Sequence, residues 1–137
     1  MGLFGNAAVG AVRGGSRHRG VGAEGCGDRA DAVERGPRAL ALLVPNIEEF
    51  GIAAVEAQAA GRPVLAADAG GAQETVLPGE TGVLVPPGDV DAMAEALRYT
   101  DFNRFDPVRI AENAARFSSE RFRSELQAAV ERAYASR

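Results

Sequence analysis

Two glutamates, Glu48 and Glu56, stand eight positions apart around a Phe50-Gly51 step. Eight helical positions are a little over two turns. Both carboxylates can therefore face one cleft if Glu48 sits just before the helix start. The amides of Gly51, Ile52 and Ala53 then fall among the unpaired donors of the first turn, where the helix dipole adds partial positive charge. Such a turn is a ready site for a diphosphate. Phe50, Gly51 and Ile52 would contribute backbone more than side chain, with Gly51 permitting close approach of the phosphate. Two hydroxyl-accepting carboxylates beside an anion-seeking helix end suit a sugar nucleotide. Glu49, between them, reads as exposed.

The elements that must position these residues follow an α/β pattern. Residues 39–44 are a short apolar run, read as a buried parallel strand. Pro45-Asn46 breaks it and leads into the glutamate loop, at the carboxyl end of a strand, where α/β folds bind ligands. A helix is expected over residues 51–60, with Gly61 as its C-cap and Pro63 beyond. Val55, Ala57 and Ala59 around Glu56 predict that this helix is mostly buried. Residues 63–67 form the next strand. Gly70-Gly71 is a loop, either a second point of close approach or a plain turn. Residues 72–76 suit a helical turn in which Glu74 and Thr75 are structural. Residues 82–85 form a third strand, closed by Pro86-Pro87-Gly88.

Asp89 caps a helix with Val90, Met93 and Leu97 on one face. Asp106-Pro107 is a cap followed by proline at the first helical position, and Ile110, Ala114 and Phe117 recur at helical spacing. Ser118 caps a last helix whose Phe122, Leu126, Val130 and Tyr134 form an apolar stripe. That stripe is expected to pack against the sheet, in preference to a membrane or partner helix, with part of it left uncovered. The fold class is α/β, a three-layer unit with a short, mostly parallel sheet.

Residues 1–38 differ sharply. They hold ten of the seventeen glycines, six arginines and only scattered large apolar residues. Such a segment cannot bury enough apolar surface to offset its ordering entropy, so it is expected to be irregular and to add no strand to the core. It reads as a low-complexity segment, disordered or out of frame, ahead of one folded unit over residues 39–137. Within it, Gly20-Val21-Gly22-Ala23-Glu24-Gly25 fits the dinucleotide-binding glycine fingerprint. That fingerprint works only where a hydrophobic strand delivers the chain into it, and Gly14-Gly15-Ser16-Arg17-His18-Arg19 is no such strand.

Composition excludes several classes. A single cysteine, Cys26, leaves no internal disulfide framework and fits a reducing compartment. One histidine, His18, leaves no zinc or haem constellation, and no calcium-loop spacing is present. No apolar run is long enough to cross a bilayer and no signal peptide opens the chain, so the expected location is cytoplasmic. All fifteen basic residues are arginine, and the net charge of −4 argues against a nucleic-acid partner.

The stretch from Glu48 to Val64 resembles the signature of retaining glycosyltransferases of family 4 (group 1): Glu, a small or acidic residue, Phe-Gly, an aliphatic, then Glu-Ala and a Gly-x-Pro-Val strand. Ala66-Ala67-Asp68-Ala69-Gly70-Gly71 and Gly79-Glu80-Thr81-Gly82-Val83-Leu84-Val85-Pro86-Pro87-Gly88 continue the match. The likeness runs from about Ala39 to the C-terminus. It implies the C-terminal part of the donor-binding domain of a GT-B enzyme. It also implies transfer of a hexose from a nucleotide-sugar donor, GDP-mannose-like or a UDP-sugar, with retained configuration. Glu48 would be the catalytic position, accepting hydroxyls of the donor sugar. Glu56 would hold the ribose hydroxyls, and Phe50, Gly51 and Ile52 would complete the donor site.

The wording looks closest to mannosyltransferase-like members, and no cofactor or metal is implied beyond the donor itself. The family neutralises the donor diphosphate with an arginine and a lysine upstream of the glutamate motif, yet the chain has no lysine. The N-terminal acceptor domain is also missing from the expected pattern, and the acceptor is not specified. Two readings from other classes stand beside this one: a non-catalytic nucleotide-binding or interaction fragment, and a dinucleotide-binding oxidoreductase piece.

Overall fold

The computed structural model describes residues 39–136 in full and, before them, the backbone of two strands, β1 (Gly10–Arg13) and β2 (Gly22–Gly25). The elements that follow are β3 (Ala41–Val44), α1 (Ile52–Ala59), β4 (Val64–Ala67), α2 (Ala72–Thr75), β5 (Gly82–Val85), α3 (Val90–Tyr99), a 3₁₀ turn (Phe102–Arg104), α4 (Pro107–Ala115) and α5 (Ser119–Ala135). The sheet runs in the order β2-β1-β3-β4-β5. Strands β3, β4 and β5 are parallel, in register Leu42 with Val64 and Val64 with Gly82. A parallel sheet is covered on both faces, and β4, its middle parallel strand, is buried at every position.

Alternation along the strands separates two cores. On one face Ala41, Leu65 and Val85 meet Phe102, Phe105 and Ile110, with Met93 and Leu97 of α3 packed against them. On the other, Val44, Val64 and Ala66 meet Ala54 of α1 and Val76. The expected three-layer α/β arrangement is therefore present. Helix α4 joins the two halves: it gives Ile110 to the first core, while its Pro107 packs against Gly61 and its Asn113 bonds Gln58 of α1.

Caps fall where side-chain chemistry places them. Asp89, Asp106 and Ser118 each accept a first-turn amide at the start of α3, α4 and α5. Helix α1 closes at Gly61, whose φ is 74°. The Gly61 amide donates to Gln58 O at 2.8 Å and the Arg62 amide to Ala57 O at 2.9 Å, the paired bonds of a Schellman ending.

Three expectations need correction. The first concerns residues 1–38, expected to add no strand: β1 pairs antiparallel with β3, and β2 with β1. Pairing of this kind uses main-chain donors and acceptors, so it needs no apolar side chain, and it occupies the edge that β3 would otherwise expose. The expected irregular or out-of-frame character of the rest of that segment lies outside the described residues. The second concerns α1, whose buried positions are only Ala54 and Gln58, while Ile52 and Ala59 are exposed. The buried pair is one turn apart, a narrow stripe in place of an enclosed helix.

The third correction concerns α5. Its apolar residues do not pack on the sheet: Phe122, Leu126, Val130 and Tyr134 are 66%, 51%, 45% and 72% exposed. The faces of β3, β4 and β5 are already covered by α1, α3 and α4, so the stripe has no room against these strands. Val90, at the first position of α3, is likewise exposed, and Ala92 and Ala96 pack beside Met93 and Leu97 instead. Among the described residues no helix is long and apolar enough to cross a membrane.

Candidate functional site

The chain leaves β3 through Pro45 into a loop that ends at the N-terminus of α1. Glu48 is half-buried in that loop, Glu49 is exposed as expected, and the Phe50 side chain is 51% exposed. Gly51 takes the cap position with φ 79° and ψ 50°, a left-handed conformation that a side chain would strain. No side chain caps α1, and its first turn holds no acidic residue. The amides that open the helix therefore keep the electropositive character that a capping carboxylate would cancel.

Glu56 lies four residues after Ile52, on the same side of α1 and opposite the buried line of Ala54 and Gln58. It is half-buried. Both candidate carboxylates thus sit outside the core, Glu48 in the loop that leaves the carboxyl end of β3 and Glu56 on the second turn of α1.

The Gly70-Gly71 pair is a point of close approach, and what it approaches is the glutamate loop. The Gly71 amide donates to Glu48 O at 2.7 Å. A Cβ on Gly70 would overlap the Glu48 carbonyl oxygen, and one on Gly71 would overlap the Phe50 carbonyl. The loop after β4 therefore seats the loop after β3. Thr75 is structural, as expected: it is buried, and its hydroxyl donates to Gly71 O at 3.0 Å.

Phe50 meets Phe117 edge to face, with ring centroids 6.4 Å apart at 84°, and the Arg116 guanidinium lies 5.2 Å from the Phe117 centroid. A groove of about 260 Å³ opens there, lined by Phe50, Arg116, Phe117, Ser118, Ser119, Phe122 and Glu125. Of the expected site residues only Phe50 lines it; Glu48 and Glu56 do not. Among the described residues no group of three or more His, Cys, Asp or Glu could hold a metal ion.

Gly22–Gly25, the larger part of the dinucleotide-type fingerprint, forms strand β2. A strand does precede it, but the chain returns antiparallel where that fingerprint needs a tight turn into a helix.

The sequence reading passed over Gln58, Asn113 and Arg116. Gln58 is fully buried and Asn113 nearly so, and the two side chains are bonded to each other. A signal existed in part: Gln58 is a polar residue one turn from Ala54, on the buried stripe, where an unpaired amide would be costly. Its partner, 55 residues away, is not inferable from spacing.

Residues 31–117 match the family described as glycosyl transferases group 1. The match begins upstream of Ala39 and ends before α5. Over 86 residues the chain is 38% identical to a glycogen synthase of Mycobacterium tuberculosis, covering 63% of this chain and 20% of that protein. Over 55 residues it is 53% identical to a phosphatidyl-myo-inositol mannosyltransferase of Mycobacterium leprae, covering 39% and 15%. The crystal structure of HepE from Anabaena in complex with UDP and glucose superposes with a TM-score of 0.54 at 32% identity, covering 80% of this chain and 30% of that one. The chain belongs to the group 1 glycosyltransferase family, and its α/β fold is that of part of a GT-B enzyme. It spans about a fifth of the length of the glycogen synthase it matches.

Proposed function

We propose that this chain carries the donor half of a nucleotide-sugar glycosyltransferase site, acting with retention of configuration on a GDP-mannose-like or UDP-linked hexose. The observation that carries the reading is the uncapped N-terminus of α1 at left-handed Gly51, flanked by half-buried Glu48 and Glu56. Amides of Gly51, Ile52 and Ala53 would face the diphosphate, Glu48 the sugar hydroxyls and Glu56 the vicinal hydroxyls of ribose. Phe50 would contribute its backbone to the same turn. A neighbour solved with UDP and glucose, and a relative named as a mannosyltransferase, support this ligand class without choosing between bases.

Taken alone, the chain is expected to hold donor weakly and to transfer no sugar. Without lysine, one of the two cations that the resemblance implies is missing, and a helix terminus replaces a full positive charge poorly beside a leaving diphosphate. Each missing charged contact costs a few kcal/mol, and ~1.4 kcal/mol is a factor of ten in rate.

The test is amide NMR of the 137-residue chain titrated with UDP-glucose and GDP-mannose. Shifts centred on Gly51, Ile52 and Ala53 with millimolar affinity, weakened by Glu56→Gln, are expected. An absence of shifts at these amides up to about ten times that concentration would refute the site. Within a two-domain enzyme carrying this segment, Glu48→Gln should lower kcat more than it raises KM. Glu56→Gln should mainly raise KM, because a ribose contact is present in ground and transition states alike. Equal, near-native values for both would remove the assignment.

A further inference from the structure

Two buried side-chain amides converge on one backbone carbonyl. Thr75 ends α2, and the last carbonyls of a helix lack partners within it. Thr75 O accepts from Gln58 Nε2 at 2.9 Å and from Asn113 Nδ2 at 2.8 Å. Asn113 Nδ2 also donates to Gln58 Oε1 at 2.6 Å. Arg116 donates to Asn113 Oδ1 at 2.8 Å, which leaves the Asn113 amide only one useful orientation. Apolar side chains would pack α1 against α4 without the desolvation that buried amides incur. What amides add is a grip on the end of α2.

The other end of that single turn carries the glutamate loop. Gly71 donates to Glu48 O and lies too close to the Phe50 backbone for any side chain, while the Thr75 hydroxyl ties back to Gly71 O. A continuous path therefore runs from Asn113 through Thr75 and Gly71 to Glu48. A second path starts one turn further along the same chain, where Phe117 meets Phe50 edge to face under the Arg116 guanidinium. Residues 113–117 thus reach the glutamate loop twice, once by hydrogen bonds and once by aromatic packing.

We propose that Asn113, acting with Gln58 through Thr75, is a positioning residue that holds the Glu48–Phe50 loop in place for a nucleoside-diphosphate sugar. Its effect on donor affinity rests on the donor-site reading above; the bracing of the loop does not. Asn113 touches no substrate. It keeps α2 seated so that Glu48 and the first turn of α1 need no rearrangement when the donor arrives.

The experiment compares wild type, Asn113→Leu and Gln58→Met in the 137-residue chain, reading amide exchange at Gly71 and Leu65 and titrating UDP-glucose and GDP-mannose. Asn113→Leu should reduce Gly71 protection about tenfold while Leu65, in the core strand, changes less than about threefold. Gln58→Met should have a smaller effect with the same pattern, since Asn113 still reaches Thr75 O, and it serves if Asn113→Leu does not fold. Nucleotide-sugar affinity should fall along with Gly71 protection. Equal loss of protection at Gly71 and Leu65 would mean a merely structural role and overturn the proposal. Unchanged Gly71 protection would overturn it as well, as would lost protection with donor affinity intact. If wild type binds neither nucleotide sugar, the donor-site reading fails, and the exchange comparison still decides whether Asn113 braces the loop.

Discussion

Replacing Gly71 by alanine tests how tightly the loop after β4 seats the glutamate loop. Gly71 has φ −62° and ψ −23°, an ordinary helical conformation in which alanine is unstrained. On backbone grounds alone, Gly71→Ala would stabilise by about 0.4–1 kcal/mol through the unfolded chain. The added Cβ, however, would fall on the carbonyl carbon and oxygen of Phe50, which are backbone and cannot swing aside. Overpacking of this kind costs roughly 1–3 kcal/mol. Relief requires moving the loop and loosening the 2.7 Å bond from the Gly71 amide to Glu48 O, at about 1 kcal/mol more. The net expectation is a loss of about 1–3.5 kcal/mol, or roughly 4–15 °C in Tm for a domain of this size.

Gly79→Ala is the matched control. Gly79 has φ 80°, which penalises alanine, but nothing lies within 4 Å of the new Cβ. Its cost is about 1–2 kcal/mol of left-handed strain. Urea unfolding of both variants, with m-values checked for two-state behaviour, gives the comparison. Were Gly71→Ala as stable as wild type, the close seating of the two loops would be wrong.

Other perturbations follow from burial and capping. Ile110→Ala removes a fully buried side chain from the first core and should cost about 2–5 kcal/mol by urea denaturation. Leu126→Gln, on the uncovered stripe of α5, should change stability by less than about 0.5 kcal/mol; a larger loss would show that the stripe is packed. Asp89→Ala deletes the acceptor of the 2.8 Å bond from the Ala92 amide and should cost about 1 kcal/mol, visible as lost exchange protection in the first turn of α3. Arg109→Met breaks the 3.0 Å pair with Glu80, but both side chains are more than half exposed, so added salt and the substitution alike should leave the urea midpoint nearly unchanged.

Local chemistry was legible in the sequence wherever one residue type dictates one conformation. Strand β5, the cap at Asp89, the proline start of α4 and the glycine end of α1 all lie where single-residue preferences put them. The order of motifs from Glu48 onward pointed to the family that the comparison with known proteins shows. Main-chain pairing was not legible: β1 and β2 join the sheet through donors and acceptors that every residue carries, so a glycine-rich composition left no trace of them. Coverage was not legible either. The stripe on α5 has the period of a packed helix, yet whether such a stripe is buried depends on what else competes for the faces of β3, β4 and β5, and α1, α3 and α4 already cover them.

The site divides along the same line. Glu48, Gly51 and Glu56 could be picked out because loop, helix start and helix turn are local in the chain. What holds them is not local. The contact of Gly71 with the Glu48–Phe50 backbone and the bond between Asn113 and Gln58 join segments from about 20 to 55 residues apart. Sequence alone nominated the groups expected to meet a nucleotide sugar. Only the tertiary structure decided which distant residues hold those groups in place, because a hydrogen bond between separate elements depends on how they pack and leaves no period in the chain.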